Sequence, residues 1–183
     1  YNMRIIAGKH KGLSIPMPKG GEIRPTTDRA KEALFSILTS RFDFEDITVL
    51  DLFAGSGNIG FEFVSRGCLH VTSVEKNRRV IKQSEEFTKS KNIEHMSFRC
   101  MDVFQYIKRC NDTYDVIFAD PPYHLKTIQR LPELIQEQQL LNPKGLLIVE
   151  HESNLGWDTT YLVESRNYGQ SVFSLFQFDV SLT

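Results

Sequence analysis

The sequence predicts an α/β protein, built on a mostly parallel seven-stranded sheet that helices cover on both faces and an antiparallel hairpin closes at one edge. Three observations predict it. From Ile47 to His151, short apolar runs alternate with amphipathic stretches, the pattern of strands joined by crossover helices. A glycine-rich turn, "AGSGNIG", follows the first of these runs. After His151, two β-prone runs flank "SRNYGQ" without a helix between them, so they pair as a hairpin.

The elements follow in order. Arg4–Ala7 and Leu13–Pro16 are strand candidates joined by the glycine-bounded "GKHKG", a small hairpin, and "PKGG" (Pro18–Gly21) is a loop. Asp28 is placed to cap a helix in which Ala30, Ala33, Leu34, Ile37 and Leu38 recur at helical spacing. "ITVLDLF" is a strand, followed by the glycine loop and a helix ending near Gly67. Leu69–Glu75 is the second strand, Asn77–Ser90 a helix, His95–Cys100 the third strand, and Asp102–Arg109 a short helix. Tyr114–Ala119 is the fourth strand. A helix over Lys126–Gln138, a turn at "NPKG" and a fifth strand at Leu146–His151 come next. Thr160–Glu164 and Ser171–Asp179 form the closing hairpin. Residues 3–26 are thus a basic N-terminal hairpin arm and residues 27–183 the main domain of one compact unit.

The 183 residues suffice for one domain with a substantial core. No apolar stretch approaches the length needed to cross a bilayer and no secretory leader is visible, with Met3 a candidate native start, so a cytoplasmic protein is expected. Cys68, Cys100 and Cys110 form no CxxC, and the five histidines show no HExxH or paired Cys/His spacing; reduced thiols and no metal site are expected. The net charge of −1 hides an asymmetry. Residues 1–31 carry seven basic side chains against two acids, whereas the rest carry fifteen against twenty-one. A basic arm on an acidic body suits a polyanion held at one end; a solvated, flexible terminus is the plainer alternative.

Four features mark a ligand site. "DLFAGSGNIG" contains GxGxxG at Gly55, Gly57 and Gly60, which alone also marks dinucleotide sites. Asp51, inside the strand end, distinguishes it: a carboxylate there suits a cationic ligand group rather than a nicotinamide cofactor. Glu75 ends the second strand, twenty residues beyond Gly55, where an acid can accept both hydrogen bonds of a ribose diol or be an ordinary surface glutamate. Asp102 can accept from an adenine amino group or cap the next helix, with Val103 and Phe104 as an apolar face. "DPPY" (Asp120–Tyr123) ends the fourth strand. Its prolines stiffen the peptide that carries one acid and one flat ring. All four lie at carboxyl ends of strands, the rim where open α/β sheets bind ligands.

"DLFAGSG", Glu75, Asp102 and "DPPY" together look like an S-adenosylmethionine-dependent methyltransferase that acts on an exocyclic amine. "MRIIAGKHKGLSI" (Met3–Ile15), "RPTTDRAKEALFSIL" (Arg24–Leu38) and the late Tyr168-Gly169 resemble the RsmD family, bacterial 16S ribosomal RNA guanine-N2 methyltransferases. Asn58-Ile59 stands where that family often has a small residue and leucine. The resemblance implies a Rossmann-like methyltransferase fold with S-adenosylmethionine as cofactor, contacted by Asp51, Phe53, Ala54, Gly55, Gly57, Gly60, Glu75, Lys76, Asp102, Val103 and Phe104. It implies catalysis by Asp120, Pro121, Pro122 and Tyr123, the ring stacking on the target base. Substrate contacts fall to Arg4, Lys9, Lys11, Arg24, Thr26 and Arg29, although capping and surface charge also account for Arg24, Thr26 and Arg29. The expected partner is 16S ribosomal RNA, within a small-subunit particle and bound by a monomer. An adenine-N6 DNA methyltransferase shares the DPPY chemistry and is the alternative, against which stand the "RPTTDR" arm and the lack of room for a DNA-recognition domain.

Overall fold

The structure, a computed structural model, describes residues 3–17, 26–122, 125, 127–152 and 155–178. Pro18–Gly21, Arg24, Tyr123, Lys126 and Asp179, to which the sequence assigns elements or roles, lie outside the described residues.

Among the described residues, five helices and seven strands alternate as expected. Helix α1 (Asp28–Thr39) precedes β1 (Thr48–Leu52), α2 (Asn58–Ser65), β2 (His70–Glu75), α3 (Arg78–Ser90), β3 (Met96–Cys100), α4 (Val103–Arg109) and β4 (Tyr114–Ala119). Then come α5 (Leu131–Glu137), β5 (Leu141–His151), β6 (Leu162–Tyr168) and β7 (Ser171–Phe176). The sheet order is β3-β2-β1-β4-β5-β7-β6. Strands β1 to β5 are parallel, while β7 runs antiparallel to both β5 and β6. No helix among these residues is long and apolar enough to cross a membrane.

Each face of the sheet carries its own apolar core, and the alternation along the strands builds both. Val49, Val116, Phe118, Leu146 and Ile148 point to the face covered by α1 and α2, where Leu34, Phe35, Phe61 and Phe63 meet them. Leu50, Leu52, Ile117, Ala119, Leu147 and Val149 point to the face covered by α4 and α5.

Local chemistry adjusts several boundaries. The cap of α1 is Thr27, whose hydroxyl accepts from the Ala30 amide; Asp28 is the first helical residue, where its charge faces the positive end of the helix. The helix expected over Lys126–Gln138 is a 3-10 turn at Ile128–Arg130 followed by α5, because Pro132 is accommodated in a first helical turn and not further in. "NPKG" is not a separate turn but an irregularity inside β5: Lys144 takes a φ of 63° and the pairing with β4 shifts register between Tyr114 and Val116. Strand β6 runs on to Tyr168, so the hairpin turn is only Gly169-Gln170.

The N-terminal hairpin reduces to one antiparallel bridge, Arg4 to Ser14, with backbone bonds from Ile5 to Leu13 and from Ile15 to Met3 of 3.0 and 2.8 Å. It is seated on the body. Met3, Ile5 and Ile15 are buried in the core beside α1 and α2, and Gly8 lies so close to α2 that a Cβ there would come within 1.8 Å of the Ser65 carbonyl oxygen.

Under the hairpin lies a buried ion pair. Lys31 and Glu62 side chains have no exposure and stand 3.1 Å apart. Lys31 Nζ also donates to the Arg4 carbonyl at 2.6 Å and to Asn58 Oδ1 at 2.9 Å. Glu62 accepts from the Ile6 and Ala7 amides and from Arg66 Nε. Burial pulls the Lys31 amine below the usual lysine range, against the opposing pull of Glu62.

Candidate active site

A cleft of about 450 Å³ opens at the carboxyl ends of β1, β2 and β4. Phe53, Ala54 and Gly55 form one wall as the chain leaves β1; Glu75 ends β2 and Lys76 follows it; Asp102 caps α4, which Val103 and Phe104 begin; Asp120, Pro121 and Pro122 follow β4. Nine of the residues assigned to cofactor contact on sequence grounds therefore share this surface, the ninth being Asp51 at its floor. Gly57 and Gly60 do not line it. They turn the chain into α2, and the Gly60 amide donates to Asp51 Oδ2 at 3.2 Å.

The loop geometry explains the glycine at position 55. Its φ is 53°, a left-handed value that favours glycine, and a Cβ built there would meet nothing within 4 Å. Backbone is thus left bare along an open wall. The Gly55 amide donates to Glu75 Oε2 at 3.1 Å, and the Asn77 amide donates to Glu75 Oε1 at 2.8 Å. Two backbone donors therefore orient the Glu75 carboxylate at the rim. Asp102 accepts from the Phe104 and Gln105 amides while lining the cleft, so the capping role and the ligand-facing position coexist in one residue.

The acids come together on the α1 face of the sheet. Asp51 pairs in register with Phe118, and Leu52 with Ala119; Ala119 in turn pairs with Val149. Asp120 and Glu150 thus follow adjacent paired residues at neighbouring strand ends. Asp51 is buried, and desolvation with a contribution from the Glu75 charge raises its carboxyl to about 7 despite the Gly60 hydrogen bond. Desolvation first, then the charges of Glu150 and Asp51, raise Asp120 well above the usual carboxylate range. Such an arrangement can receive a cationic ligand group at Asp51 and offers a strong proton acceptor at Asp120.

The substrate-contact residues divide. Thr26 lines the cleft. Lys9, Lys11 and Arg29 are exposed and lie off its surface, and Arg4 pairs with Asp28 at 3.0 Å. Arg24 and Tyr123 fall outside the described residues. Sequence reasoning missed Met3, Ser56, Asn58 and Ile59, which also line the cleft. Met3 is the unexpected one, since it brings the hairpin into the wall, where its sulfur accepts from Ser56 Oγ at 3.7 Å. Hydrophobicity at the start of a basic segment was the available signal. In the sequence Glu150 shows only as part of the strand candidate Leu146–His151.

The sequence matches, over residues 3–177, the protein-family model described as Conserved hypothetical protein 95. The ribosomal RNA small subunit methyltransferase D of Haemophilus influenzae is 33% identical over 157 residues, spanning 83% of this chain and 80% of that protein. The chain belongs to the RsmD family. Solved structures are similar as well: a hypothetical protein of Thermus thermophilus superposes with a TM-score of 0.85 at 26% identity, covering 96% of this chain and 99% of that one. The S-adenosylmethionine-dependent methyltransferase of Agrobacterium tumefaciens, at 18% identity, shares the fold with a TM-score of 0.62 over 85% of this chain and 63% of its own. The α/β sheet of this RsmD-family member, with its antiparallel end hairpin, is accordingly a methyltransferase fold.

Proposed function

We propose that the protein transfers a methyl group from S-adenosylmethionine to the exocyclic N2 amine of a guanine in small-subunit (16S) ribosomal RNA. The observation that carries this reading is the convergence, in one cleft, of a cofactor-type wall (Asp51, Gly55, Glu75, Asp102) with the acid-proline corner Asp120-Pro121-Pro122. The names of the RsmD relatives support ribosomal RNA as the substrate class.

The residues present fit the cofactor. Glu75, fixed by two amides, suits a ribose diol, and the bare Gly55 backbone admits close approach. Asp102 and the Val103 and Phe104 side chains suit an adenine ring, and buried Asp51 suits an ammonium group. The bound cofactor supplies an electrophilic methyl on a sulfonium.

The chain's own work concerns the amine. Its lone pair is delocalised into the base, so the nitrogen is a weak nucleophile. Asp120 and the Pro121 carbonyl can each accept one amine hydrogen, which turns the lone pair out of conjugation. The two prolines hold these acceptors in place before the base arrives, which is preorganisation. The raised proton affinity of Asp120 suits it to take the proton that the nitrogen loses.

The test offers radiolabelled S-adenosylmethionine with small-subunit particles from cells lacking the enzyme, with naked ribosomal RNA and with duplex DNA, followed by nucleoside analysis. Labelled N2-methylguanosine is expected; label in N6-methyladenine of DNA overturns the substrate assignment. Asp120→Ala is expected to lose turnover by about a hundredfold or more while cofactor affinity stays within about twofold. Equal loss of both would make Asp120 a cofactor support instead.

A further inference from the structure

Thr26 is buried yet lines the cleft. Its hydroxyl donates to Glu150 Oε2 at 2.6 Å. Glu150 is itself buried, at 4% exposure, and stands beside Asp120 because Val149 and Ala119 are register partners on β5 and β4. A hydroxyl has one proton and two lone pairs. With its proton directed away from the cleft to Glu150, Thr26 can offer a ligand only acceptor character. The ionised Asp120 carboxylate and the Pro121 carbonyl are acceptors as well, so these three groups together offer acceptors to a ligand.

We infer that Thr26, oriented by Glu150, is a specificity-determining residue that admits guanine and rejects adenine. The inference rests on the guanine-N2 reading and deepens it. In guanine the carbon that bears the amine lies between N1–H, a donor, and N3, an acceptor; along its N1 side, amine and ring present donors side by side to a row of acceptors. In adenine the ring nitrogen next to the N6 amine is N1, an acceptor. An acceptor set against Thr26 leaves both groups unpaired in a desolvated site. Sites built to bond a substrate donor discriminate strongly against analogues that lack it. Glu150 is needed because a free hydroxyl would turn and donate to either base.

The experiment uses small-subunit particles reconstituted on ribosomal RNA with either guanine or 2-aminopurine at the position that the wild-type enzyme methylates. 2-Aminopurine keeps the N2 amine but makes N1 an acceptor. The wild type is expected to form N2-methylguanosine and to use 2-aminopurine with kcat/KM lower by about tenfold or more. Thr26→Val should lose about tenfold on guanine but little on 2-aminopurine, shrinking the ratio towards one, with cofactor affinity within about twofold. Thr26→Ser should restore the ratio. Equal use of both bases by the wild type, or a Thr26→Val loss that falls equally on both, overturns the role of Thr26 and leaves the guanine reading standing. A wild-type product other than N2-methylguanosine overturns that reading and the role of Thr26 with it.

Discussion

Asp51 shows how much one position can carry. It occupies the place on β1 where alternation calls for an apolar residue on the α1 face, two residues beyond Val49. Burial raises its carboxyl to about 7, so near neutrality it is poised between neutral and charged forms. An ammonium group needs the charged form. Cofactor affinity should therefore fall as pH drops below about 7, approaching tenfold per pH unit once the proton must be expelled. Calorimetric titration of S-adenosylmethionine from about pH 7.5 down to about 5.5 checks it, and Asp51→Asn should bind weakly with the slope removed. A flat profile in the wild type would show that Asp51 does not meet the ammonium group. Asp51, Glu75 and Asp120 were legible in the sequence because each is an acid inside or at the end of an apolar run, a position that alternation makes conspicuous. Glu150 was not, although it too ends such a run. Its meaning depends on Val149 lying opposite Ala119 and on a threonine more than a hundred residues away, and neither fact is local.

Among the elements, the hairpin, α1 and α2 are bound by the Lys31–Glu62 pair. Truncating one member leaves the other charged and buried, so Lys31→Met should destabilise the protein by about 3–5 kcal/mol. The double variant Lys31→Met/Glu62→Leu should not recover that loss, since it also strips the Ile6 and Ala7 amides and Arg66 of their acceptor. Urea unfolding monitored by circular dichroism measures both, and a Lys31→Met cost below about 1 kcal/mol would refute the coupling. This network was invisible from periodicity, which reads Lys31 as a solvated helix position. The basic count of residues 1–31 likewise included a lysine that never meets solvent. The helical spacing of Leu34, Ile37 and Leu38, by contrast, placed α1 correctly because it reflects burial against a sheet. The "NPKG" segment misled because proline and glycine punctuate turns and bulges alike, and only pairing with Tyr114 distinguishes them.

For the molecule as a whole, charge and shape act together. Lys9 and Lys11 are exposed at the turn of the hairpin, outside the cleft, and phosphate contact is the role their chemistry suits. Replacing both with glutamine should weaken RNA binding and reduce the slope of log affinity against log salt by roughly one to two. Binding titrations at several salt concentrations test this; an unchanged slope would assign both lysines to bulk solvent. The overall architecture was legible because alternating strands and helices admit few topologies, and the cleft followed from it, since strand ends gather at one rim. The seating of the hairpin was not, because it turns on Gly8 abutting the backbone of Ser65, a close approach between segments far apart in the chain. If Lys9 and Lys11 contact phosphate as proposed, that abutment sets the thermodynamics of the contact. The loop bearing Lys9 and Lys11 is ordered when the polypeptide folds, so its conformational entropy is already spent when a polynucleotide arrives. A nucleic acid held there would meet a prefixed pair of cations and dock onto rigid relief, unlike the coupled folding of a basic tail.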